Sequence, residues 1–147
     1  MTLSTKGRYA TRIVVSIAAD RGAGPVSRQH IAEVEGISID YVGQILMRLK
    51  AAGLVRSHRG TRGGFSLARE AHDMTVADVV EAAEGSILLA PCEETDTACE
   101  RSAACVTREV WRTAAAGLQQ YLQSVTIDEL ARKKQEQAGN QPILFHI

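Results

Sequence analysis

Three cysteines, Cys92, Cys99 and Cys105, fall within 14 positions of this 147-residue chain and are its most reactive side chains. Their number is odd. Ile13 to Ala19, behind Arg8 and Arg12, is too short and too amphipathic for a secretory leader, so the expected setting is the cytoplasm. There, clustered thiols point to metal or redox chemistry rather than to a disulfide framework. Six residues separate the first pair and five the second. Zinc sites favour tighter pairs, about two to four residues apart, whereas wide loop spacing suits thiolates around an iron–sulfur cluster. Glu93, Glu94, Asp96 and Glu100 make the loop acidic, which favours a more negative reduction potential. The plain alternative is three reduced, unligated thiols.

A second group of residues is cationic. Net charge is zero overall, but residues 1–75 carry +5 and residues 76–147 carry −5. No acidic residue lies between Asp40 and Glu70, while Arg48, Lys50, Arg56, Arg59, Arg62 and Arg69 do. Such asymmetry suggests a basic half that meets a polyanion, against the plain reading of a solvated face. No apolar run approaches the ~18 residues of a membrane helix. No nucleophile–base set, phosphate loop or paired carboxylates at useful spacing suggests an enzyme.

The elements that must position these residues are mostly helical. Aromatics are 4% and hydrophobic residues 45%, so the core is built from Ala, Val, Ile and Leu. Tyr9, Ala10, Ile13, Val14 and Ile17 form one helical stripe, ended by Gly22, Gly24 and Pro25. Ser27 can cap a short helix bearing Ile31, Ala32 and Val34, and Gly36 supplies a left-handed turn. Ser38 can cap a third helix whose buried face is Val42, Ile45, Leu46 and Leu49. Residues 54–59 and 65–67 read as short strands joined by Gly60, Thr61, Arg62, Gly63 and Gly64. Thr75 and Asp78 make a box that opens another helix over Val76, Val79, Val80 and Ala83. A long helix over about 106–124 carries Val110, Ala114, Leu118, Tyr121 and Leu122. Thr126 to Glu129 form a box before a short last helix, and the polar chain from Arg132 to Gln141 reads as mobile.

Helix, short helix, glycine turn, helix and hairpin is the order of a winged helix-turn-helix. Its third helix would enter the major groove of duplex DNA by its N-terminal end, exposing Asp40, Tyr41, Gly43, Gln44, Met47 and Arg48. Gln44 can pair with an adenine edge, and Ser38 with a base or a phosphate. Asp40 can accept from cytosine or act as a cap. Arg28, Thr61 and Tyr41 are further contact candidates. Arg59 and Arg62, set among glycines, suit phosphates and a narrow minor groove. His30, His58 and His72 read as surface residues.

Taken together, these stretches resemble a family of small dimeric bacterial regulators that includes IscR, NsrR and RirA, and most closely IscR. The matches are Leu3 to Ala10; Gly36-Ile37-Ser38 with Tyr41; Ala52 to Val55; Arg59-Gly60 with Gly63 to Phe65; the three cysteines; Trp111-Arg112; and Thr126 to Leu130. They span about residues 1–132. The resemblance implies a homodimer joined through the long helix, with Trp111 as a core or dimer anchor. It implies a palindromic operator and a 2Fe–2S or 4Fe–4S cluster on Cys92, Cys99 and Cys105, near the partner's winged domain.

Three positions depart from the pattern. Where IscR-like members carry a histidine ligand the chain has Arg108, and where NsrR-like members carry an aspartate ligand it has Arg8. A guanidinium is not expected to ligate iron. Glu109, a loop acid, His146 or a small molecule are the substitutes, and a RirA-like open iron also fits. Gly43 stands where IscR has glutamate, so the operator is expected to differ.

The expected architecture is therefore mainly α with a small β-hairpin. A winged helix-turn-helix domain occupies 1–75, the cysteine loop and dimerisation helices occupy 76–132, and a mobile tail occupies 133–147. The expected function is a transcriptional repressor or regulator whose operator binding answers to the cluster, sensing iron, redox state or nitric oxide. A metal-free winged-helix regulator answering to a small ligand or partner protein is the first alternative. An iron–sulfur carrier is the second.

Overall fold

A computed structural model describes residues 3–20, 22, 24–90, 92, 95 and 99–140 of the chain. Helix α1 (Thr5–Ala19) starts one turn ahead of its apolar stripe because Ser4 caps it, accepting the Gly7 N–H. Helix α2 (Arg28–Glu35) is capped by Ser27 through the His30 N–H and ended by Gly36 at φ 64, the left-handed turn expected there. Ser38 caps α3 (Ile39–Ala51), and Gly53 at φ 72 follows it.

Strands β1 (Val55–His58) and β2 (Gly64–Leu67) pair antiparallel, with Val55 opposite Leu67 and His58 opposite Gly64. Val26 adds a bridge to Phe65, so the hairpin is fastened to the entry of α2. A 3-10 turn (Ala71–Asp73) leads to α4 (Val76–Glu84), where Thr75 and Asp78 form the anticipated reciprocal box. A second 3-10 turn (Ser102–Ala104) precedes α5 (Arg108–Ser124) and α6 (Ile127–Gly139).

One apolar cluster joins the front and rear of the chain. Ile13 and Val14 of α1, Ile31 of α2, Leu46 and Leu49 of α3, Met74, Val79 and Ile127 are all fully buried within it. Each such side chain contributes about 1.5–3 kcal/mol of transfer energy. The starts of α4 and α6 are also tied backbone to backbone, Val76 N–H to Val125 carbonyl at 3.0 Å and Ile127 N–H to Met74 carbonyl at 2.8 Å. Helix α5 stands apart: among its residues only Ala115 is buried, while Val110, Trp111, Leu118 and Tyr121 are exposed.

The last helix differs from expectation. It continues to Gly139 instead of giving way to mobile chain after Arg132. No apolar stripe marks this stretch; polar contacts hold it instead. Lys134 pairs with the buried Glu35, Gln135 donates to the Ala19 carbonyl at 2.9 Å, and Arg132 and Lys133 pair with Asp128 and Glu129 one turn back. Residues 141–147, with His146, lie outside the described residues.

Candidate nucleic-acid interface and thiol loop

Helix α3 shows why a protein surface here can read an edge. Val42, Ile45, Leu46 and Leu49 are sunk in the core, leaving Asp40, Gln44, Met47 and Arg48 exposed. Asp40, Gly43, Gln44 and Met47 are spaced as a single stripe, and Met47 is 64% exposed. Ser38 is exposed, but its hydroxyl already accepts the Tyr41 N–H at 3.4 Å. Two residues expected at the surface are only half-exposed. Tyr41 leans back onto Tyr9, edge to face at 5.9 Å between ring centres. Gly43 is covered by Arg28, whose Nη1 would lie 2.8 Å from a Cβ built there.

The hairpin is held by sterics as much as by hydrogen bonds. Gly60 has φ 106, a conformation L side chains rarely adopt. A Cβ on Gly64 would meet the Val26 carbonyl oxygen at 2.4 Å, and one on Gly63 the His58 carbonyl oxygen at 2.4 Å. Arg59, Thr61 and Arg62 are exposed at the tip. Arg56 is not so placed, because its Nη2 donates to the Ala68 carbonyl at 2.8 Å. Lys50, which sequence reasoning left outside the contact set, donates to Ser57 Oγ at 2.7 Å and carries positive charge into the gap between α3 and the wing. His58 bonds Ser66 across the hairpin at 2.8 Å, His30 is exposed, and His72 faces Asp73 at 3.4 Å.

Two buried or tethered carboxylates escaped sequence reasoning. Glu35 is 7% exposed and receives Arg12 and Lys134. Burial alone would raise its pKa, but the hydrogen bonds and charges of Lys134 and then Arg12 prevail and hold it below the ordinary carboxylate value. Glu84 reaches the first turn of α1, accepting from Ser4 Oγ at 2.6 Å and from the Gly7 N–H at 2.9 Å. The only hint in the sequence was an acid at the end of an apolar stripe.

The cysteines lie in the connection from α4 to α5, and none is in a disulfide. Cys92 and Cys105 are half-buried and Cys99 is exposed. The Cys105 thiol lies 3.3 Å from Thr107 Oγ1, and bonding to that hydroxyl and to the Thr107 and Arg108 N–H groups lowers its pKa. Arg108, at the position of the histidine in IscR-like members, donates through Nε to the Cys92 carbonyl at 3.1 Å. It therefore ties the middle of the loop at Cys92 to the start of α5 instead of offering a lone pair. Among the described residues, no three His, Cys, Asp or Glu side chains are gathered into a ready metal site. Glu93, Glu94 and Asp96 lie outside the described residues. As donors, three free thiols with one biased towards thiolate fit an iron–sulfur group, while a fourth ligand at position 108 does not.

Residues 3–133 match the family model described as Rrf2, iron-dependent transcriptional regulator. The chain belongs to the Rrf2 family. Protein rrf2 of Nitratidesulfovibrio vulgaris is 38% identical to it over 132 residues, covering 90% of this chain and 88% of the relative. The transcriptional regulator IscR of Pectobacterium atrosepticum is 34% identical over 135 residues, covering 92% and 82%. Among solved structures, T. potens IscR superposes with TM-score 0.76 at 32% identity, covering 99% of this chain and 97% of its own. CymR (YrzC), the global cysteine regulator of B. subtilis, gives 0.74 at 33% identity, covering 90% and 98%. This Rrf2 chain is thus a DNA-binding winged-helix transcriptional regulator, similar to IscR, and its relatives are not enzymes. No described helix is long and apolar enough to cross a membrane.

Proposed function

We propose that this Rrf2 regulator binds a two-fold operator as a cytoplasmic homodimer and that an iron–sulfur cluster on Cys92, Cys99 and Cys105 sets its grip. The observation that carries the DNA half is the coincidence of an exposed α3 stripe and an arginine-tipped hairpin with the cationic half of the chain. Gln44 and Asp40 would face base edges, and Ser38, Tyr41, Arg48 and Thr61 the sugar–phosphate backbone. Arg59 and Arg62 would reach the minor groove beside the half-site. In a dimer, half-sites would lie about 34 Å apart or a multiple of that.

The dimer reading rests on α5. Val110, Trp111, Leu118 and Tyr121 leave an apolar face that a second copy would cover. The cluster reading rests on three unlinked thiols between α4 and α5 and on likeness to IscR. A bound cluster would supply reactivity towards iron supply, oxidants or nitric oxide. The chain's own part is to draw the three thiols together. Gathering them would pull on the loop whose ends are Glu84, which caps α1, and Arg108, which opens α5. Arg108 would supply no ligand at the fourth position, which would fall to Glu109, a loop acid, His146 or a small molecule, or stay open as in RirA-like members.

A metal-free regulator answering to a small ligand or partner is the second reading. It is favoured by the likeness to the cysteine regulator CymR. Anaerobic purification separates the two. A brown protein whose visible and Mössbauer spectra vanish in the triple Cys→Ser variant supports the cluster. A colourless protein that iron and sulfide cannot reconstitute, with a DNA response unchanged by the triple substitution, supports the alternative.

A further inference from the structure

The stripe that α3 offers to a duplex has a gap at Gly43, between Asp40 and Gln44 on one side and Met47 beyond. Another helix fills that gap. Arg28, the first residue of α2, lays its side chain across Gly43, with Nη1, Cδ and Cζ at 2.8, 3.4 and 3.7 Å from the place a Cβ would take. The guanidinium therefore occupies the volume that a side chain at position 43 would use. Arg28 is exposed, and it makes no hydrogen bond or ion pair among the described residues. A bare fork of N–H donors thus stands in line with Gln44, on the face that the site assigns to base edges.

We propose that Arg28 is a base-reading residue. Its guanidinium serves as the missing side chain of α3 and presents two parallel N–H donors to O6 and N7 of a guanine in the major groove. The inference rests on the proposed docking of α3 in that groove. Glycine at 43 leaves room for the arrangement, since a methyl group there would make the guanidinium end shift. The planar fork matters as well as the charge: bidentate pairing needs arginine, whereas a phosphate accepts lysine nearly as well.

The test is selection of duplexes from a randomised pool by the full-length protein, followed by measured affinities for single-base variants of the selected site. The wild type should fix a guanine at one position of each half-site. Arg28→Ala and Arg28→Lys should lose about tenfold discrimination at that base pair. Gly43→Ala should change preference at the same pair, because it displaces the same group. Gln44→Ala should act at a different pair. Arg28 is exposed, so these variants should keep the wild-type circular dichroism.

If Arg28→Ala weakens all duplexes equally, lowers the salt slope by about one and is rescued by lysine, Arg28 is a phosphate contact and the proposal fails. If neither Gln44→Ala nor Arg28→Ala moves any preference, α3 does not lie in the groove, and both this inference and the docking beneath it fall.

Discussion

Glu84 accepts the backbone N–H of Gly7 at 2.9 Å, across 77 residues of sequence. The last turn of α4 thereby caps the first turn of α1, placing a negative charge where the helix dipole is positive. Glu84 also opens the stretch that carries the cysteines, so the thiol loop is fastened at one end to the helix on which the DNA-reading half is built.

Removal of this cap should be felt as lost stability. Glu84→Ala should cost about 1–2 kcal/mol, the usual worth of an N-cap. Gly7→Ala should displace the same carboxylate, since its Cβ would sit 2.1 Å from Glu84 Oε1, but the better helix propensity of alanine should offset about 0.5–1 kcal/mol of the loss, so its net cost should be the smaller. Urea unfolding followed by circular dichroism measures both. An unchanged midpoint in Glu84→Ala would show that the contact stabilises nothing.

Glu35 predicts a pH dependence. Its pKa in the folded chain lies below the unfolded value of about 4.3, because Lys134 and Arg12 outweigh the effect of burial. A depressed carboxylate stabilises the fold above the unfolded pKa, and that contribution disappears as pH falls through the folded pKa. Stability should therefore fall on acidification below about pH 5. Glu35→Gln should lose about 1–3 kcal/mol at neutral pH and show a flatter acid limb. Denaturant titrations from pH 7 to pH 3 give both quantities.

The arginines of the hairpin separate by their partners. Arg59→Ala and Arg62→Ala should each weaken operator binding and reduce the salt slope by about one. Arg56→Ala should do little to DNA affinity, since its guanidinium is spent on the Ala68 carbonyl. Fluorescence anisotropy at several salt concentrations ranks the three. Equal losses from all of them would mean that the hairpin acts only through its net charge.

Helix α5 offers a test of assembly. Trp111→Glu or Tyr121→Glu places a carboxylate in the middle of an apolar face that is 45% and 66% exposed at those residues in one chain. Sedimentation should find a dimer for the wild type and a folded monomer for the variants. A dimer that survives both substitutions places the interface elsewhere.

Much of the architecture was legible because local chemistry and packing agree. Ser27, Ser38, Thr75 and Thr126 all accept the N–H expected of a cap, and Gly36 takes the left-handed turn that separates α2 from α3. What stayed hidden was tertiary and polar. The far half of α6 is held by Lys134 on Glu35 and Gln135 on Ala19, partners about a hundred residues away that no periodicity announces. Tyr41 reads as a surface position from its spacing, yet Tyr9 draws it inward. Gly43 reads as an empty place on α3, and only the fold brings Arg28 across it. Arg108 reads as a departure from the histidine pattern, but its hold on the Cys92 carbonyl arises only when the loop folds back on α5.

The central claim is that thiol-held iron governs the grip on DNA. Its most direct test is operator affinity measured under anaerobic conditions for cluster-loaded protein and for the same preparation after chelation. A clear difference is expected, about tenfold or more as for coupling of 1–3 kcal/mol, and it should be lost in the triple Cys→Ser variant. Equal affinities for the loaded and stripped protein would contradict it.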